Sequence, residues 1–87
     1  MEYRINGDAM HSRQEAHDEI ARAMQFPEYY GRNLDALWDM LTTTSGKTVI
    51  TGVSGMLNAL GGYGCRLLKT FYDAAEENNR FEFSVEQ

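Results

Sequence analysis

Residues 26–42 read FPEYYGRNLDALWDMLT, a loop sequence followed by an amphipathic pattern. Pro27 and Gly31 are typical of a loop, and Asn33 is among the residue types most favoured at a helix N-cap. Beyond Asn33, large apolar side chains recur at i, i+3, i+4 and i+7, which is the spacing of one helix face. They are Leu34, Leu37, Trp38 and Leu41. The stretch therefore predicts a helix that starts at Leu34 and packs its leucines against a core.

Upstream of this helix, the sequence predicts a strand and a further helix. Tyr3 and Ile5 alternate with polar residues, which indicates a half-buried strand, and Asn6-Gly7-Asp8 then supplies a turn. Ser12-Arg13-Gln14-Glu15 has the form of a capping box, so a helix should begin there and end before Pro27. Its expected inner residues are Ala16, Ile20, Ala23 and Met24.

Downstream, the sequence predicts strand, helix, helix and strand. Thr48–Thr51 is rich in β-branched residues and is expected to form a central strand covered on both faces. Ser54–Leu60 suits a short helix closed by Gly61-Gly62. A longer helix follows and ends near Asn78-Asn79, with Cys65, Leu68, Phe71, Tyr72 and Ala75 as its expected inner stripe. Phe81, Phe83 and Val85 alternate with polar residues and predict the last strand.

The predicted order of elements is β-α-α-β-α-α-β. Helical crossovers between strands imply parallel pairing with right-handed connections. We therefore predict an α/β fold with a three-stranded parallel sheet packed by helices. A chain of 87 residues is too short for two cores, so residues 1–87 should form a single domain.

The charge balance favours a basic partner. Thirteen acidic residues against eight Lys and Arg give a formal net charge of -5, which argues against direct binding of nucleic acid because such binding depends on neutralising phosphates. Solubility alone also explains many acidic proteins, so the placement of the charges must decide.

Cysteine content and hydropathy bear on the compartment. A single cysteine, Cys65, excludes an intramolecular disulfide framework and Cys-rich zinc sites, and a reducing compartment fits it best. No stretch approaches the roughly 20 apolar residues of a membrane span, and the N-terminal residues do not resemble a signal peptide. We expect a cytoplasmic protein without membrane contact, metal or cofactor.

Two carboxylates share one side of the helix that starts at Leu34. At about 100° per residue, Asp35, Asp39 and Thr42 cluster beside the leucine stripe, with Trp38 at the border between the two faces. Two like charges at i and i+4 repel each other mildly, and the helix has no basic residue that could form an ion pair with them. A solvated polar face is the alternative reading. Tyr29 and Tyr30 should leave the preceding loop close to the carboxylates, where aromatic residues often form interface hot spots.

Pro27-Glu28-Tyr29-Tyr30-Gly31 and Asn33-Leu34-Asp35-Ala36-Leu37-Trp38-Asp39 resemble the signature of the barstar family, whose type member inhibits the ribonuclease barnase. The resemblance implies a barstar-like fold and an intracellular inhibitor that blocks the RNA-binding cleft of a basic microbial ribonuclease in a 1:1 complex. By similarity, the Asp39 carboxylate would lie where a substrate phosphate lies, and Asp35 would pair with a further arginine. The full contact set carried over is Tyr29, Tyr30, Gly31, Asn33, Asp35, Trp38, Asp39, Thr42, Thr43 and Glu76.

The sequence departs from the barstar pattern outside this segment. Ala74 and Asn78 stand where barstar has further acidic contacts on its later helix, although Asp73, Glu76 and Glu77 could compensate. Thr43-Thr44 replaces an expected Gly-Trp, and residues 46–64 match poorly. The primary helix contact is thus expected to be kept, while the periphery should suit another toxin.

Two other function classes remain open from the residues alone. An enzyme could use the carboxylates with His11, His17 and Cys65. However, Cys65 falls on the predicted inner stripe, both histidines are expected to be solvated, and we predict that the protein is not an enzyme. The second alternative is an immunity protein that binds a basic toxin or effector other than a ribonuclease. The activity of the bound target would separate it from a ribonuclease inhibitor.

Overall fold

Three strands and four helices make up the chain in the computed structural model, which describes residues 1–87. The strands are β1 (Glu2–Asn6), β2 (Gly46–Thr51) and β3 (Phe81–Val85). The helices are α1 (Arg13–Met24), α2 (Leu34–Leu41), α3 (Val53–Leu60) and α4 (Gly62–Glu77), and a 3-10 turn at Gly7–Ala9 follows β1. The predicted element order is confirmed.

The sheet is parallel and has the order β1-β2-β3. Ile5 of β1 stands in register with Ile50 of β2, which in turn faces Val85 of β3. Three consecutive residues of β2, Thr48–Ile50, are buried, as expected of a central strand with both faces covered. The predicted fold class and the position of β2 are therefore confirmed.

Side-chain caps fix the first residues of α1 and α2. The Ser12 hydroxyl accepts the N–H of Glu15 at 3.1 Å, and the Asn33 side-chain oxygen accepts the N–H of Ala36 at 2.8 Å. Each bond satisfies one of the amide groups that a helix N-terminus leaves without a partner. Both helix starts lie where the sequence predicted them.

The core lies between the sheet and the inner faces of the helices. Ile5 and Ile50 project from the sheet, Leu37 and Leu41 from α2, and Phe71 from α4, all fully buried. Packing of α2 directly against α4 leaves the opposite side of α2 exposed. The core thus determines which side of α2 a partner could reach.

The predicted buried stripe of α4 was wrong, because most of its residues lie one position after the residues that are buried. The buried residues are Gly64, Leu67, Phe71 and Ala74, whereas Cys65 is exposed and Tyr72 is 45% exposed. Gly64 explains the shift: a Cβ at this position would lie 3.3 Å from Leu57 Cδ2 and 3.4 Å from Leu60 Cβ. The bare backbone of Gly64 lets α4 approach α3 closely. A stripe predicted from apolar side chains does not include a glycine.

Candidate protein-binding surface

The exposed side of α2 carries two carboxylates that have no partner within the chain. Asp35 and Asp39 are both exposed, and neither takes part in an ion pair or a side-chain hydrogen bond. Five other acidic residues form ion pairs with Arg or Lys, namely Glu2, Asp18, Glu19, Asp73 and Glu86, and Glu15 lies 3.7 Å from the His11 Nδ1. Trp38 and Thr42 are half-buried beside the carboxylates. The predicted grouping of these four residues on one side of the helix is consistent with this burial pattern.

The two tyrosines of the loop before α2 differ in their exposure to solvent. Tyr29 is 84% exposed, whereas Tyr30 is 4% exposed. A turn in which the Tyr30 N–H donates to the Pro27 carbonyl at 3.0 Å carries the Tyr30 ring inward, 4.9 Å from the ring of Phe26 between centroids. Tyr30 is thus buried, although it lines the same surface pocket as Tyr29 and Asp39. A direct contact between Tyr30 and a partner stays a prediction.

His17 holds the inward ring in place. Its Nδ1 lies 2.7 Å from the Tyr30 hydroxyl and its Nε2 lies 2.6 Å from the Tyr63 hydroxyl. A neutral imidazole fits both contacts, because one ring nitrogen donates and the other accepts. Burial, and after it the nearby Arg32 charge, lower the pKa of His17.

The expectation that His17 is solvated was wrong, since the residue is 1% exposed. Its spacing from Ile20 and Met24, at i+3 and i+7, could have placed it on the apolar face of α1.

Asn33 joins the loop to the helix. Besides capping α2, its side-chain amide donates to the Gly31 carbonyl at 3.1 Å. Space at Gly31 is tight, because a Cβ there would come within 3.1 Å of Ala36 Cβ. Arg32 adopts a left-handed backbone with φ of 52°, and its Nε donates to the Asp18 carboxylate at 2.7 Å. These contacts fix the position of the loop relative to the first turn of α2.

The C-terminal end of α2 is also held by side chains. The hydroxyls of Thr43 and Thr44 donate to the Met40 carbonyl at 3.1 and 2.8 Å, and that of Thr42 donates to the Asp39 carbonyl at 3.2 Å. From the end of α4, the buried Asn78 amide donates to the carbonyls of Leu41 and Thr44 at 3.1 and 2.7 Å. Carbonyls at a helix C-terminus lack intrahelical partners, so these bonds stabilise the end of α2.

A surface pocket lies between the loop and the helix. Its volume is about 290 Å³, and it is lined by Tyr29, Tyr30, Gly31, Ala36, Asp39 and Met40. The pocket therefore combines a carboxylate, an exposed aromatic residue and an aliphatic wall. A cationic side chain with an apolar stem would fit these features, because the stem can pack while the charge reaches the carboxylate.

A family model described as Barstar (barnase inhibitor) matches residues 1–87. The chain belongs to the barstar family. It is 34% identical over 86 residues to a Bacillus subtilis (strain 168) protein named "Putative ribonuclease inhibitor YrdF", and the alignment covers 94% of each chain. The resemblance inferred from residues 26–42 is therefore confirmed over the whole chain.

The end of α4 holds Ala74 and Asn78, the residues at which the sequence was expected to depart from the barstar pattern. Ala74 is buried and Asn78 bonds to α2, so both residues serve packing. Asp73 pairs with Lys69 at 2.8 Å, whereas Glu76 and Glu77 are exposed without an ion pair. Thr43 is exposed as well. Of the three acidic residues named as possible replacements, Glu76 and Glu77 are the ones left free for a partner.

Sequence reasoning missed a basic pocket beside this surface. Arg13, Arg32, Tyr63 and Arg66 line it together with the first residues of α2. The residues come from three separate parts of the chain, and only the i, i+3 spacing of Tyr63 and Arg66 on α4 is a local signal. No group of three or more His, Cys, Asp or Glu is placed to hold a metal ion. None of the helices has the length and hydropathy that a membrane-spanning helix needs.

Proposed function

We propose that this barstar-family protein is a cytoplasmic inhibitor of a basic, barnase-like microbial ribonuclease. In this proposal α2 and the loop before it enter the RNA-binding cleft and form a 1:1 complex. The observation that supports it most directly is the pair of exposed carboxylates, Asp35 and Asp39, which lie one turn apart on the exposed side of α2 and form no ion pair. The contact set is the one carried over from the family, with Tyr29, Asn33, Trp38 and Thr42 around the carboxylates.

Inhibition would follow from charge and shape, without any chemical step. A ribonuclease cleft must hold phosphates, so it presents cationic side chains toward the RNA. The Asp39 carboxylate accepts charge-assisted hydrogen bonds from such groups in place of a phosphate, and Asp35 pairs with a neighbouring cation. The overall charge of -5 raises the rate of encounter with a basic enzyme.

The rigidity of the surface supports the same proposal. Both ends of α2 are held by side chains, through Asn33 at the start and Asn78 at the end. A surface fixed before binding loses less conformational entropy when the complex forms. The protein therefore presents its carboxylates at a defined spacing to the cleft.

The test is an RNA cleavage assay with barnase and a panel of other small, basic, secreted microbial ribonucleases. Purified chain is added at increasing molar ratio, and we expect cleavage by at least one enzyme to fall to zero at one equivalent. A variant with both Asp35→Asn and Asp39→Asn should leave cleavage unaffected at the same ratio. Full activity across the panel, together with tight binding to a basic toxin that is not a ribonuclease, would replace this proposal with the alternative of a different immunity protein.

A further inference from the structure

A basic pocket of about 380 Å³ opens at the junction of α1, α2 and α4. We define it by Arg13, Arg32, Tyr63 and Arg66. Three guanidinium groups around one pocket are unexpected in a chain with thirteen acidic residues and eight Lys and Arg. Like charges at close range repel, so their grouping needs a physical reason.

Two of the three arginines have no anionic partner in the chain. Arg32 donates to the Asp18 carboxylate at 2.7 Å, which neutralises it. Arg13 and Arg66 form neither an ion pair nor a side-chain hydrogen bond. Their planar donors therefore remain available to an external acceptor such as a carboxylate.

Tyr63 holds the two free guanidiniums in place. The Cζ of Arg13 lies 4.5 Å from the centroid of the Tyr63 ring, and that of Arg66 lies 5.4 Å from it. Both distances lie within the range of cation–π attraction. The Tyr63 hydroxyl is bonded in turn to the buried His17 at 2.6 Å. The ring is thus fixed from the inside, and the arginines are partly ordered before any ligand arrives.

The basic pocket adjoins the proposed ribonuclease contact. Asn33, Leu34 and Asp35, the N-cap and first turn of α2, also line it. A partner that covers Asp35 therefore meets the two arginines as well. The surface is bipolar, with free carboxylates along α2 and free guanidiniums at its N-terminal edge.

We propose that the basic pocket receives an Asp or Glu side chain of the target ribonuclease, at the rim of the enzyme's basic cleft. This inference rests on the proposed function and names the further feature that a target must have. Acidic charge alone would attract any basic protein. Arg13 and Arg66 repel a uniformly basic surface, and they bind more favourably to a surface that carries a carboxylate at this point. Attraction at one point combined with repulsion of wrong partners is how charged interfaces gain specificity.

The experiment compares two variants with the same net charge. Arg13→Gln/Arg66→Gln removes the free guanidiniums, and Lys47→Gln/Arg80→Gln removes two exposed cations that form no ion pair and lie outside the pocket. Each changes the formal charge from -5 to -7, because two positive charges are lost. Kd is measured for the panel ribonuclease that the wild-type chain inhibits most strongly, at fixed ionic strength, after thermal melts confirm folding.

Whether each variant binds the ribonuclease more weakly or more tightly than the wild type tests the proposal. A carboxylate in the pocket predicts that Arg13→Gln/Arg66→Gln weakens binding by about tenfold or more, as expected for losing a specific charge-assisted contact, while Lys47→Gln/Arg80→Gln binds as tightly as wild type or more tightly. If both variants bind more tightly, only the overall charge matters and the pocket proposal is overturned. The proposed function fails separately, through loss of inhibition by the wild-type chain.

A second measurement needs no ribonuclease. Citrate, a small polycarboxylate, is titrated into the free chain while the Arg Nε–H and Tyr ring signals are followed by NMR. We expect saturable shifts at Arg13, Tyr63 and Arg66 that Arg13→Gln/Arg66→Gln abolishes and Lys47→Gln/Arg80→Gln keeps. Shifts that are absent, or that are equal in both variants, would overturn the pocket as a carboxylate receptor even if the ribonuclease contact holds.

Discussion

The Asp39 side chain is not needed to stabilise the fold. It is exposed, it forms no ion pair, and its neighbour one turn earlier carries the same charge. Like charges at i and i+4 slightly destabilise a helix, and Asp39, unlike Asp35 in the first turn, lies too far from the N-terminus to gain much from the helix dipole. A residue of this kind can be changed without loss of the fold, which makes the proposed contact testable by substitution.

We predict that Asp39→Ala weakens ribonuclease binding by more than about 2 kcal/mol, or roughly 30-fold in Kd, because the cations of the partner would be buried without a counter-charge. Calorimetric titration measures the change. Glu82→Gln, which alters an exposed carboxylate on β3, is the matched control and should bind as the wild type does. A loss of less than about 1 kcal/mol for Asp39→Ala would contradict the mechanism. Both variants should keep the thermal transition of the wild type.

His17 makes the stability of the protein depend on pH. Its pKa is lowered from the ordinary value of 6.5 by burial and by the Arg32 charge, while the Asp18 carboxylate acts in the opposite direction. Between 6.5 and the lower folded-state pKa, the unfolded chain binds a proton that the folded chain does not. Stability contributed by neutral His17 is therefore complete above that range and is lost as the pH falls through it.

We predict that the free energy of unfolding, measured by urea denaturation from pH 7.5 to pH 5, declines as the pH falls below 6.5. The slope should approach about 1.4 kcal/mol per pH unit at most, the value for one proton. His17→Gln should flatten this decline, whereas His11→Gln, at an exposed position, should keep it. A decline that survives His17→Gln would assign it to another group.

At the scale of the element, α2 depends on its surroundings. Eight residues are too few for a helix to be stable alone in water. Asn33 caps its first turn, while the threonines and Asn78 bind its last carbonyls. The buried leucines supply the packing. The exposed side of α2 is therefore positioned by bonds that come from the loop before it and from α4.

We predict that Asn78→Ala lowers the free energy of unfolding by about 1–3 kcal/mol, because two carbonyls near the end of α2 lose buried hydrogen bonds. For a domain of this size the midpoint of thermal unfolding should fall by at least about 4 °C. Ribonuclease binding should weaken too, since the end of α2 loosens. Asn79→Ala alters the adjacent exposed amide and should change neither quantity; an equal effect of both variants would show that Asn78 has no special role.

For the whole molecule, charge acts in two ways. The net charge of -5 guides the chain toward any basic surface over distances near the Debye length, about 10 Å at 0.1 M salt. The local pattern of free carboxylates and free guanidiniums acts only at contact. Long-range attraction and short-range specificity therefore respond differently to salt.

We predict that the rate of association with the ribonuclease falls by about tenfold or more when the salt concentration rises from about 0.01 M to about 0.5 M, because screening removes the long-range attraction. The dissociation rate should change far less, since contacts within the complex are partly shielded from ions. Stopped-flow fluorescence of Trp38, the single tryptophan, measures both rates. An association rate that is indifferent to salt would contradict electrostatic guidance.

The sequence by itself determined the order of elements, the parallel sheet and the exposed carboxylates of α2. Periodicity and caps are local signals, and Asn33 and Ser12 act within three residues of themselves. Only the tertiary structure decided that Tyr30 turns inward, that α4 buries Leu67 instead of Leu68, and that Arg13 and Arg66 lie beside the same Tyr63 ring. The His17 contacts span 13 and 46 residues of sequence, and the phase of α4 depends on how closely Gly64 approaches α3. Such choices depend on which distant groups can pack and pair together, and no local pattern encodes them.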